Sequence, residues 1–162
     1  MKKRLLFVIA VLMIALLSIS FTAVSAKPNT SGPVECIIDI TNDLTVGDFW
    51  FGTVSGCSLE GTIKFVHGEK ENYGTGKTWH FYENFIIWPA SGGVIEGTDE
   101  GVWNFSTFKF RANGWVTSAS GDWAYLVGYK FHEIGTTSNP DAVAVHAPDT
   151  SMKLVPASRQ GE

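Results

Sequence analysis

The sequence predicts an all-β fold: an antiparallel up-and-down β-barrel of about eight strands, preceded by a signal peptide helix. Three observations lead there. Beyond residue 26, apolar, aromatic and β-branched residues come in short runs, the composition of strands. Helical periodicity is almost absent. Clusters of Gly, Asn, Asp and Ser separate the runs and supply turns short enough for adjacent antiparallel pairing. A chain of so many strands must hide its edges, and short connections favour a closed barrel over a sandwich.

The first element is the leader. Lys2, Lys3 and Arg4 give a cationic start, Leu5 to Leu17 an apolar run, and Val24-Ser25-Ala26 a small-residue cleavage signature. Residues 1–26 are therefore read as a signal peptide, 27–155 as one domain and 156–162 as a flexible tail. The alternative is a retained anchor, because Ser18 to Ala23 would extend the apolar run to roughly 20 residues, enough to span a bilayer. Both readings put the domain outside the cytoplasm. Cleavage makes it secreted, with no stable membrane anchor.

The strands follow in order. Val34 to Ile40 ends at Thr41-Asn42-Asp43, and Asp48 to Ser55 and Leu59 to His67 come next. Lys77 to Trp88 is bounded by Glu71-Asn72-Tyr73-Gly74 and Ser91-Gly92-Gly93. Val94 to Thr98 and Val102 to Arg111 follow as separate strands. Ala112-Asn113-Gly114 sets off Trp115 to Ala119, and Ser120-Gly121-Asp122 sets off Trp123 to Ile134. Ala142 to His146 and Met152 to Val155 complete the set. The recurrent Gly-Thr pairs, such as Gly61-Thr62 and Gly97-Thr98, read as strand corners that relieve bending or admit close backbone approach.

The 136 residues after Ala26 suit one modest core. The leader holds three of the 12 basic residues and none of the 16 acidic ones, leaving nine against sixteen, a formal charge of −7. Nucleic acid is not an expected partner, since phosphate binding needs clustered Lys and Arg. Cys36 and Cys57 are the only cysteines, and in an oxidising compartment such a pair is expected to be bridged.

The segment Val116-Thr117-Ser118-Ala119-Ser120-Gly121-Asp122-Trp123-Ala124-Tyr125-Leu126-Val127-Gly128 resembles a hairpin of the allene oxide cyclase and dirigent barrels. The resemblance covers about a dozen residues. It implies a barrel with a ligand-sized apolar lumen; members cyclise a reactive lipid epoxide or steer the coupling of phenolic radicals. No catalytic residue of those families aligns with this chain. Gly47-Asp48-Phe49-Trp50 comes near the early lipocalin signature, but the spacing is off by one residue and no late amphipathic helix follows.

Residues two apart in a strand share a face. That puts Trp79, Phe81, Glu83, Phe85 and Ile87 together, and likewise Trp123, Tyr125, Val127, Tyr129, Phe131 and Glu133. If these faces line the lumen, Glu83 and Glu133 are partly desolvated carboxyls, candidates for general acid work or for donating a hydrogen bond to ligand oxygen. Trp79, Phe81, Phe85, Trp123, Tyr125 and Tyr129 are then the candidate ligand contacts. The bland reading is core filling, with a bulge or strand end returning the carboxyls to water.

The four histidines lack ligand spacing, so no metal and no cofactor are expected. Gly74-Thr75-Gly76-Lys77-Thr78 imitates a phosphate loop, but Glu71 stands where a glycine is required and a strand follows. There is no G-x-S-x-G elbow.

Three functions follow from this. The first is binding of a small apolar or phenolic ligand in the lumen. The second is a cyclase or isomerase using a lumen carboxylate, which leaves open whether the protein is an enzyme. The third is a cell-surface carbohydrate-binding or adhesion module, with Trp88 and Trp115 as a stacking platform. A homo-oligomer is left open.

Overall fold

The computed structural model describes residues 32–43, 45, 49–68, 73–139 and 142–157. The expected signal peptide, residues 1–26, and most of the expected tail, 156–162, lie outside the described residues. The strands are β1 (Val34–Asp43), β2 (Phe49–Ser55), β3 (Gly61–His67), β4 (Tyr73–Thr75), β5 (Thr78–Pro89), β6 (Ile95–Asn104), β7 (Lys109–Ala119), β8 (Lys130–Thr136) and β9 (Ala144–Val155). A 3-10 helix, Gly121–Leu126, joins β7 to β8.

All pairings are antiparallel, in the order β3-β2-β1-β9-β8-β7-β6-β5, and β3 closes the ring on β5. Apart from β4, a short strand added to the start of β5, each barrel strand pairs with its neighbours in the chain, and the first strand, β1, pairs with the last, β9. This is the closed up-and-down eight-stranded barrel that the turn spacing predicts. Closure leaves the eight barrel strands no free edge.

Alternation decides which residues fill it. In β1, Val34, Cys36, Ile38, Ile40 and Asn42 are buried, whereas Glu35, Ile37, Asp39, Thr41 and Asp43 are exposed. Cys36 bonds to Cys57, with Cα atoms 5.1 Å apart, tying β1 to the β2–β3 connection. Among the described residues no helix is long and apolar enough to cross a membrane.

Several expected boundaries shift. Val94 to Thr98 and Val102 to Arg111 are not two strands: β6 runs unbroken through Gly97 and Gly101. The hairpin bend falls instead at Phe105–Phe108. There the Asn104 side chain accepts hydrogen bonds from the Ser106 and Thr107 amides, and Phe108 takes a positive φ of 57°. Ala112-Asn113-Gly114 is not a turn but the middle of β7. Ala142 to His146 and Met152 to Val155 belong to one strand, β9, which bulges where Ile38 and Ile40 of β1 meet Thr150 and Ala147. The strand expected over Trp123 to Ile134 begins only at Lys130, because Trp123 and Tyr125 lie in the 3-10 helix.

That helix closes one end of the barrel. Trp123 and Leu126 are buried in the same core as Val34, Leu59, Ile95, Val116 and Leu154. Trp123 Nε1 donates to the Gly92 carbonyl at 3.0 Å, and the Ser120 hydroxyl accepts from Val94 N–H at 2.9 Å, so the two loops at this end lock together.

Candidate functional site

The other end is open, and the reason lies in what each strand carries inward. Moving along β5 toward the closed end, the inward residues are Trp79, Phe81, Glu83, Phe85 and Ile87. Along β8, Glu133 is followed by Phe131. Phe85 and Phe131 are fully buried and stack at 4.3 Å between centroids, with Phe65 edge-on to Phe131 at 6.3 Å. These rings form a floor. Above it lies a cavity of about 500 Å³.

The cavity walls are mostly aromatic: Trp50, Phe65, Trp79, Phe81, Trp103, Phe105 and Phe110. Trp103 contacts Trp50 edge-on at 5.9 Å and Phe105 at 4.7 Å, and Phe105 meets Trp79 at 6.4 Å, giving a continuous band of rings around the mouth. Three of the rings beneath this band lie where the strand opposite offers a glycine. Phe81 is the register partner of Gly101, Phe85 of Gly97, and Phe110 of Gly135. A Cβ on Gly97 or Gly101 would fall 2.2 Å from the facing ring, and one on Gly135 would fall 2.5 Å away. The missing side chains let the rings lie against the barrel wall, which keeps the centre clear.

Carboxyls mark the boundary between cavity and packed core. Glu83 and Glu133 line the cavity at its floor. Asp99, the register partner of Glu83 on β6, is 5% exposed, and neither of its carboxyl oxygens has a hydrogen-bond partner among the described residues. Burial raises Glu83 to about 7. Burial first, then the charges of Glu83 and Glu133, hold Asp99 well above the usual carboxylate range. Burial and then Glu83 do the same for Glu133. Removing a carboxylate from water disfavours its charge, and neighbours of like sign add to the effect. No group of three or more His, Cys, Asp or Glu poised to hold a metal ion occurs among the described residues. The arrangement offers two carboxyls whose uncharged, hydrogen-bond-donating form is favoured by burial, and one group, Glu83, that titrates near neutrality.

Two further polar atoms on the wall, Asn42 Oδ1 and Trp103 Nε1, are buried without a partner among the described residues. His67, which sits across from Glu83 on β3, lines the cavity as well.

No protein-family model, curated protein or solved structure matches this chain. The chemistry of the site therefore rests on its own geometry.

Of the residues singled out from the sequence, Trp79, Phe81, Glu83 and Glu133 meet at the cavity. Phe85 lies beneath it in the floor. Trp123, Tyr125 and Tyr129 are at the closed end and do not line it: Trp123 and Tyr129 are core residues, with Tyr125 packed against them at 6.0 Å from Tyr129. Burial, then Tyr125, raises the Tyr129 phenol. Trp88 and Trp115 are exposed on the outer wall, on strands separated by β6, and the Lys130 ammonium lies 5.5 Å from the Trp115 ring.

Asp99, Trp50, Trp103, Phe105 and Phe110 are site residues that the alternation of the expected strands does not single out. The signal for two of them was present. Read as one strand, Ile95, Gly97, Asp99, Gly101 and Trp103 share a face with a carboxyl at its centre, the same pattern as Trp79 to Ile87.

Proposed function

We propose that this protein holds a small, largely apolar or aromatic molecule in the open end of the barrel. One observation carries the reading: the barrel is filled at one end and empty at the other, and the 500 Å³ space is walled by rings with carboxyls at its floor. Ligand sites are typically concave and mostly apolar, with few polar groups fixing orientation. Glu83, Glu133 and Trp103 Nε1 are those groups here. The up-and-down strand order and the lumen support kinship with the allene oxide cyclase and dirigent barrels. The Cys36–Cys57 bridge supports export to an oxidising compartment.

A second reading has its own observation. Glu83 titrates near neutrality beside Glu133, which burial holds well above the usual carboxylate range, and carboxyls pushed apart in this way divide into base and acid. A cyclase or isomerase that moves a proton across the lumen would use Glu83 as base and Glu133 as acid.

Titrating the full chain with terpenoids, phenolics and oligosaccharides, while following tryptophan emission, tests the first reading. Saturable change with apolar or phenolic compounds supports it, and a response confined to sugars overturns it. Turnover of a bound compound, abolished in Glu83→Gln with binding retained, would establish the second.

A further inference from the structure

The walls and floor of the cavity restrict the charge of its occupant. Glu83 from β5 and Glu133 from β8 reach it, and Asp99 from β6 stands directly behind. No Lys or Arg is among the described lining residues, and His67 at the β3 end is the one titratable base there. Three of the barrel's cations are engaged elsewhere. Lys64 lies 4.3 Å over Phe49, Lys130 lies over Trp115 on the outer wall, and Lys153 pairs with Glu35 at 2.9 Å.

Buried carboxyls are ordinarily matched by a buried cation or by hydrogen-bond donors. Asp99 has neither among the described residues, and it is nearly inaccessible. An anionic ligand would meet the Glu83 carboxylate as a like charge. A cation would balance that charge, and the rings of Trp50, Trp103 and Phe105 in the same cavity give its apolar body a surface to pack on.

We propose that the occupant is an organic amine, its ammonium set against the Glu83 and Glu133 carboxyls and its apolar body against the tryptophan band. The inference rests on the cavity-holding function above and names the ligand class for that site. The amine arrives protonated. When it docks, Glu83 gives its proton to solvent and remains as carboxylate beside the ammonium, so binding at neutral pH releases protons. His67 on β3, Asp99 on β6 and Glu133 on β8 are the titratable groups that face Glu83. Asp99 and Glu133 add negative charge beside Glu83 when ionised and are uncharged when protonated, so neither opposes the arriving cation.

Calorimetric titration of the full chain with phenylbutylamine, phenylbutanol and phenylbutyrate separates the possibilities, because the three share a body and differ in head group. The amine is expected to bind about tenfold more tightly than the alcohol. It should release protons when buffers of different ionisation enthalpy are compared. Phenylbutyrate should be the weakest. In Glu83→Gln, with folding checked by thermal melting, the preference for amine over alcohol should vanish while alcohol binding persists; Glu133→Gln should reduce it. Alcohol binding as tight as amine binding, or tightest binding by the acid, overturns the amine assignment and leaves the ligand-holding function standing. Binding by none of the three overturns both.

Discussion

Glu83 and Asp99 stand directly opposite each other on the inward faces of β5 and β6, two carboxyls side by side where the cavity meets the packed core. In a sheet, like charges directly across from one another repel. The pair persists because burial holds Asp99 well above the usual carboxylate range and lifts Glu83 to about 7, so the two charges need not coexist. A barrel that needed only stability would place apolar residues here, as it does one step further in at Phe85 and Gly97.

This pairing makes stability depend on pH with a defined sign. The folded chain holds the Glu83 proton up to about 7, whereas the unfolded chain releases it near 4.5. The stabilisation is therefore fully present below 4.5 and is lost as pH rises through 7, by about 3 kcal/mol for this group alone. Asp99 and Glu133 shift in the same direction. Thermal melts from acid to mildly alkaline pH should show a falling midpoint across that window, and Glu83→Gln should flatten the fall. A midpoint that rises with pH between 5 and 8 would refute the assignment.

The barrel was legible because its signals are local: turn residues and alternation set strand number and pairing. Its inner face on β5 was legible for the same reason, since Trp79 to Ile87 is an unbroken strand. What misled was glycine. Gly101 and Gly114 resemble turn residues in one dimension, yet each lies mid-strand, where its absent side chain makes room for a neighbour. With the strand ended at Thr98, ahead of Asp99-Glu100-Gly101, Asp99 has no place opposite Glu83. Trp123 and Tyr125 misled in the other direction, because their alternation with Tyr129 is consistent with a strand but is realised as a plug.

The glycine–ring pairs are testable directly. Gly97→Ala would set a methyl 2.2 Å from both Phe85 Cζ and the Trp115 carbonyl. Ring and backbone must both shift, and overpacking of this kind costs about 3 kcal/mol. Gly76→Ala, at a turn with open space but a positive φ of 63°, should cost only about 1 kcal/mol. Denaturant unfolding of the two variants should reproduce this order.

The disulfide should matter through the unfolded state. Cys36 and Cys57 are separated by 21 positions, and on the chain-entropy model a loop of that size contributes about 3 kcal/mol. Reduction, or replacement of both cysteines by alanine, should lower the melting midpoint by about 10 °C. Ligand binding should persist at temperatures where the reduced chain remains folded, because Cys36 belongs to the packed core and does not line the cavity.

The six tryptophans report on different regions. Trp50, Trp79 and Trp103 line the cavity, Trp88 and Trp115 are exposed on the outer wall, and Trp123 is buried in the plug. A ligand in the lumen should quench the first three and leave the others unchanged. Trp103→Phe should therefore remove much of the ligand-dependent signal, and Trp103→Ala should weaken binding about tenfold through lost ring contact. Trp88→Phe and Trp115→Phe should leave the titration curve as it was. The reverse pattern, with signal carried by Trp88 or Trp115, would move the binding surface to the outer wall and favour the carbohydrate-binding function, because only a ligand stacked outside the barrel could reach those rings.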